Sequence, residues 1–167
     1  MSGFPFVNQG ALIDPGRDRD ATALIDLSGA APRHISYAAL DAMANAVARG
    51  LLRRGLARGD RIGILAANSA EFLAALYGAQ RAGLVAVPVN WRFPAATVDY
   101  VLRNSGAVLV FCDAARRATV PEGVAAVEMG GAEWDALLDP GPFAPVVPEP
   151  AEPALFLYTS GSTGRPK

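Results

Sequence analysis

The run Thr159-Ser160-Gly161-Ser162-Thr163-Gly164-Arg165-Pro166-Lys167 packs four hydroxyl side chains, two glycines and a lysine into nine residues. Glycines let successive backbone N–H groups turn inward as an anion nest, hydroxyls add donors, and an ammonium neutralises bound charge. The chemistry open to such a run is to hold a polyphosphate. It is not a Walker A loop, because the pattern G-x-x-x-x-G-K-[ST] read from Gly161 meets Pro166 where its second glycine must stand. A flexible Ser/Gly tail has the same composition, and composition leaves both readings open. Fourteen of the fifteen basic residues are Arg, and the only Lys is Lys167. Arg is a planar fork and Lys a compact point charge, so this placement argues for a selected role against a chance one.

Other reactive side chains are few. His34 is the only histidine and lies beside an expected surface turn with no paired acid or nucleophile in view. Cys112, the only cysteine, closes an apolar run and reads as packing. Arg49, Arg53 and Arg54 read as a solvated helix face. Trp91 and Arg92 follow the carboxyl end of an expected strand, where α/β sheets contact ligands, although packing is the commoner use. Metal-ligand spacing is absent throughout.

The elements that must carry this loop alternate. Ala21–Leu27 and Ile35–Tyr37 suit a short hairpin, after which Ser36 caps a helix whose Leu40, Met43, Val47 and Leu51 recur at three and four, ending near Gly55. Arg61–Ala66 reads as a strand. Asn68 with Glu71 reads as a capping box opening a second helix, with Phe72, Leu73, Leu76 and Gln80, that stops at Gly83. Leu84–Val89 is continuously apolar, the pattern of a parallel strand covered on both faces, with Pro88 at its end or at an unpaired position. Pro94 suits the first position of a third helix carrying Val98, Val101 and Leu102 and ending at Gly106. Val108–Cys112 is the next strand. This alternation predicts an α/β fold with a mostly parallel sheet holding the strands at Arg61, Leu84 and Val108, helices on both faces, and right-handed crossovers. Six prolines in the fourteen residues 140–153 predict an extended surface connection. It delivers the chain to a last apolar strand, Ala154–Tyr158, which is free to lie in another layer. The isolated sheet would expose apolar surface where a partner packs, a route to association.

Composition narrows the partners. Half the chain is apolar, enough for a real core, and the net charge is -1, which offers no general attraction to nucleic acid or anionic lipid. The apolar runs fall far short of the ~18 residues a bilayer span needs, so no membrane span is expected. One cysteine and an opening MSGFPFVNQG without a basic start or apolar core point to a cytoplasmic protein.

TSGSTGRPK resembles the signature T-S-G-[ST]-T-G-x-P-K of the adenylate-forming superfamily, which includes acyl-CoA synthetases, luciferases and peptide-synthetase adenylation domains. The resemblance extends through ISYAALDAMANAVARGLLRRGLARGDRIGILAANSAEFLAALYGAQRAGLVAVPVNWRF and covers nearly the whole chain from Asp26. VPVNWRFPAATVDYVLRNSGAVLVFCD is closer to the acyl- and aryl-CoA ligase style than to the peptide-synthetase style. Ala39, Phe93-Pro94 and Ser162 depart from the family's usual residues without damaging the loop.

The resemblance implies the opening part of that family's large N-terminal domain: an α/β subdomain over 1–139, a connection over 140–153, and a strand plus phosphate-binding loop over 154–167. It implies a ligase that makes an acyl adenylate from a small-molecule carboxylate and ATP and then a thioester, with ATP, Mg²⁺ and CoA taking part. Thr159, Ser160, Gly161, Ser162, Thr163, Gly164 and Lys167 would contact the ATP phosphates, and no residue would make or break bonds. The family places its remaining contacts after this loop. The chain alone is therefore expected to be inactive, and the α-carboxylate on Lys167 is expected to weaken ATP binding further. The alternative is a short non-catalytic α/β protein that binds nucleotide weakly or pairs with a second chain.

Overall fold

The computed structural model describes residues 7–11, 18–159 and 166, and within them the apolar runs at Arg61, Leu84 and Val108 become neighbouring parallel strands. β1 (Thr22–Asp26) and β2 (Arg33–Ser36) form an antiparallel hairpin, and α1 (Tyr37–Arg53) follows it. Then come β3 (Arg61–Leu65), α2 (Ala70–Arg81), β4 (Val85–Pro88), α3 (Ala95–Ser105), β5 (Ala107–Cys112), β6 (Ala126–Glu128) and α4 (Ala132–Leu137). The four-stranded sheet has the order β4-β3-β5-β6, and all its pairings are parallel.

Sheet order explains why helices cover both faces. From β3 the chain steps to β4 on one side, then returns past β3 to β5 on the other. Right-handed crossovers travelling in opposite directions must leave by opposite faces. Accordingly α1, α2 and α4 pack on one face over Ile62, Ile64, Ala86, Leu109 and Phe111, while α3 packs on the other over Leu65, Val87, Val110 and Cys112. Successive strand residues alternate between the two clusters, so the continuously apolar strands are buried on both sides, as their sequence predicts. Gly78 lets α2 approach α1 closely: a Cβ there would lie 2.6 Å from Val47 Cβ and 2.8 Å from the Ala44 carbonyl oxygen.

The helix ends follow the sequence with two one-residue shifts, at the starts of α2 and α3. Ser36 Oγ accepts from the Ala39 N–H, and Gly106 ends α3 in the left-handed region at φ 66°. The cap of α2 is Ser69, whose Oγ accepts from Phe72 N–H, one residue past the expected Asn68. Glu71 reaches Arg33 instead, so the expected capping box gives way to an ion pair between the hairpin and α2. Pro94 is the N-cap of α3 and its first helical residue is Ala95.

Two further expectations are corrected. Arg49 and Arg53 are not a plain solvated face: Arg49 pairs with Asp139 at 3.2 Å, and Arg53 donates to the carbonyls of Ala136 and Leu137 at the end of α4. They tie α1 to an element the sequence reading did not foresee. Ala154–Tyr158 does not lie in another layer. Leu155 bridges Ala86 in parallel on the free edge of β4, with Ala86 N–H donating to Ala154 O at 3.1 Å and Phe156 N–H to Ala86 O at 2.9 Å. Residues 140–153 contain no helix or strand. No helix among the described residues is long and apolar enough to cross a membrane.

Candidate functional site

Because β3, β4, β5 and β6 are parallel, the loops after them emerge at one end of the sheet. The Ala154–Tyr158 segment runs in the same direction, so Thr159 leaves the sheet at that end too, beside the turn after β4. Three side chains fix the segment's approach. Leu155 packs with the α1–α2 side of the core, Phe156 and Tyr158 with the α3 side, and the Tyr158 hydroxyl donates to Asn104 Oδ1 at 2.7 Å. Thr159 is exposed and Pro166 is buried. Ser160, Gly161, Ser162, Thr163, Gly164 and Lys167 lie outside the described residues.

The other loops at this end are built by short polar side chains. Asn90 Oδ1 accepts from Arg92 N–H at 3.0 Å, closing the turn after β4. Asp113 accepts from Arg116 N–H and from Ala67 N–H at 2.9 Å, joining the loops after β5 and β3. That junction lies where the strand order reverses, the position at which open α/β sheets form ligand crevices. A cleft of about 580 Å³ opens there between Ala67, Ser69, Asp113–Arg116, Met129, Gly130 and the hairpin residues Ser28, Gly29 and Arg33. Towards β4, the guanidiniums of Arg92 and Arg116 lie 4.8 and 4.2 Å from the centre of the Trp91 ring, which stays 37% exposed. Stacked guanidiniums keep their N–H edges for an anion. Arg116 spends one such bond on Asp113 at 2.9 Å; Arg92 has no carboxylate partner among the described residues.

The charged groups around the cleft are held ionised. Burial alone would push the Asp26 carboxyl up. The N–H groups of Ala70 and Ser28, the Ser28 hydroxyl and Arg33 outweigh that and hold it well below the usual range. Arg33 donates to Asp26 at 2.5 Å and to Glu71 at 2.8 Å. For Glu71 burial again pushes up, and the bond from Arg33, its charge and the bonds from the Glu71 backbone and Ser69 together outweigh it, so its carboxyl is also lowered. Burial raises the Cys112 thiol, which leaves it a poor nucleophile and matches its packing role. His34 sits exposed in β2. Among the described residues no group of three or more His, Cys, Asp or Glu could hold a metal ion. Sequence reading missed the Asp26–Arg33–Glu71 junction, although Asp26 two residues before Ser28 carries the signal of an Asx turn. What this end of the sheet can do chemically is bind and orient an anion.

Comparison with known proteins agrees with that geometry. The family model described as AMP-binding enzyme matches residues 14–167. The fatty acid–[acyl-carrier-protein] ligase ScoC of Streptomyces coeruleorubidus is 37% identical over 143 residues, covering 81% of this chain and 27% of that protein. The long-chain-fatty-acid–CoA ligase FadD13 of Mycobacterium tuberculosis is 36% identical, covering 80% of this chain and 28% of that protein. The ATP-bound structure of MatB from Rhodopseudomonas palustris superimposes with a TM-score of 0.75 at 32% identity, over 89% of this chain and 31% of that one. The inhibitor-bound N-terminal domain of FACL13 from Mycobacterium tuberculosis gives 0.72 at 32% identity, over 81% and 36%. The chain thus spans little more than a quarter of the length of these two curated ligases.

Proposed function

The chain belongs to the AMP-binding enzyme family, and from that premise we propose that it forms the opening part of an ATP-dependent carboxylate–thiol ligase and supplies its phosphate-binding loop. In the reaction so proposed, a carboxylate oxygen attacks the α-phosphorus of ATP. The bond to the bridging oxygen breaks, pyrophosphate leaves, and a thiol then displaces AMP from the acyl adenylate. The observation that supports the reading is the parallel seat of Leu155 on β4, which brings the chain as far as Thr159 to the end of the sheet where α/β folds bind ligands.

Charge grows on the leaving pyrophosphate in the first step. Thr159, Ser160, Ser162 and Thr163 would donate hydroxyl hydrogen bonds to it, Gly161 and Gly164 would allow close backbone approach, and Lys167 would neutralise it. These are positioning and electrostatic roles. Mg²⁺ would arrive with the ATP phosphates, since the described carboxylates form no cage for it. The named relatives act on fatty acids with CoA or acyl-carrier protein as thiol, which supports a fatty-acid-like carboxylate and one of those carriers here. Arg92 and Arg116 on Trp91 form a second cationic surface at the same end, suited to an anionic group of that carrier.

ATP–pyrophosphate exchange over short, long and aromatic acids tests the reading. The 167-residue chain should show no exchange, because phosphate contacts without orientation of the reacting atoms forfeit the proximity effect. The chain continued to the length of its relatives should exchange with fatty acids. No exchange by the longer protein with any acid, or robust exchange by the short one, would overturn it.

A further inference from the structure

Residues 146–153, Val-Val-Pro-Glu-Pro-Ala-Glu-Pro, face a conflict of tasks. Pro148, Pro150 and Pro153 have no N–H, so the segment cannot be held by a backbone ladder. Yet it must hand Ala154 to β4 in one register, because a slip of one residue would exchange the faces of Leu155 and Phe156 and move Thr159 by about 3.3 Å. The strand it delivers has one bridge to enforce that register.

Side chains hold the segment at both ends. At its start, Val146 uses both backbone groups: its N–H donates to Arg81 O at 2.8 Å and its carbonyl accepts from Asn8 Nδ2 at 2.8 Å. Asn8 Oδ1 accepts from Gly10 N–H at 3.0 Å, and Gly10 is held in turn by Arg81. That guanidinium, 3% exposed, donates to Gly10 O at 2.8 Å and pairs with Asp41 at 2.8 Å. Val146 also lies over Gly83, where φ is 74° and a Cβ would stand 3.2 Å from Val146 Cγ1. Arg58, in the turn before β3, donates to Val147 O at 3.0 Å and at the far end grips the Glu152 carboxylate with two N–H groups along one edge of its fork, Nε to Oε1 at 2.7 Å and Nη2 to Oε2. Glu152 Oε2 in turn accepts from Glu149 N–H at 2.8 Å, closing the turn two residues before Ala154.

We propose that Arg58 is a positioning residue for the loop that begins at Thr159: by fastening Val147 and Glu152 to the edge of the sheet, it sets the register in which residues 154–156 lie on β4. Arg81 secures the other end through its carbonyl, which accepts from Val146 N–H, while Asn8 holds the Val146 carbonyl. The assignment of the loop to phosphate rests on the function proposed above; the register does not.

Amide hydrogen exchange on the 167-residue chain separates the two. Phe156 N–H and Ala86 N–H report the edge, while Ile64 and Val110 report the sheet centre. Arg58→Ala should speed exchange at Phe156 and Ala86 about five- to tenfold and leave Ile64 and Val110 unchanged, with Glu152→Gln giving the same pattern more weakly. Arg58→Lys, which keeps the charge and loses the fork, should recover only part of the protection. Unchanged protection at Phe156, or an equal loss at all four amides, would overturn the proposal. Adding Mg-ATP to the unaltered chain then reads the loop: an unperturbed Thr159 signal would count against phosphate binding while the register result stands.

Discussion

The centre of the sheet and the edge that carries the candidate site are held by different physics. β3 is paired on both sides and buried on both faces, with Ile62, Ile64 and Leu65 fully covered. The segment leading to Thr159 has one bridge to β4, a 65% exposed Leu157 and a connection fastened by Arg58 and Asn8. Hydrophobic burial is non-directional and tolerates little local motion in a dense core. A strand hung on side-chain hydrogen bonds opens at lower cost. The loop expected to meet a charged ligand is therefore mounted on the part of this molecule that can yield.

The largest expected effect breaks the centre. Trp134 packs edge-on against Phe111, with ring centroids 5.4 Å apart and planes at 81°. Trp134→Ala should cost about 3–5 kcal/mol of unfolding free energy in urea titration. Phe156→Ala, on the partly exposed edge, should cost less than half as much. Equal costs would erase the distinction between the two regions.

Next comes the hairpin junction. The Asp26 carboxyl is held below its ordinary value in the fold, so the unfolded chain takes up its proton first and stability rises with pH across that range. Its contribution is complete above the ordinary Asp value of about 4 and is lost as pH falls through the lower folded value. Melting temperature should drop steadily on acidification from about pH 5, and Asp26→Asn should flatten that slope while lowering stability at pH 7 by about 1–3 kcal/mol. A parallel slope in the variant would show that Asp26 does not carry the linkage.

How far these features could be read in advance follows the same division. Ser36, Gly83 and Gly106 mark helix ends, and the unbroken apolar runs mark doubly covered strands, because each signal is local. β6 has three residues and α4 six, too few for periodicity to register, and Trp134 gave no sign of its role. Glu71 looked like the partner of Asn68 until the hairpin brought Arg33 to it, a contact across 38 positions. Arg49 and Arg53 likewise found partners about ninety and eighty-four positions away. For the candidate site, the residue types from Thr159 to Lys167 are what suggest phosphate chemistry, while only the structure seats Leu155 on β4.

A smaller effect sharpens the functional half of the comparison. In the chain continued to the relatives' length, Arg92→Ala should raise KM for the thiol carrier about three- to tenfold and leave ATP–pyrophosphate exchange within twofold, since Arg92 stacks on Trp91 rather than belonging to the loop. An equal loss in both half-reactions would move Arg92 to the ATP site.

The most direct test of the proposed phosphate loop is an amide-resolved NMR titration of the 167-residue chain with pyrophosphate, ATP and adenosine in turn. Pyrophosphate and ATP should both shift the amides of residues 159–164, weakly and at millimolar concentration, while adenosine leaves them unmoved and the β1–β2 hairpin responds to none. Shifts at the loop that follow adenosine as readily as pyrophosphate, or no response there to any phosphate, would contradict the account.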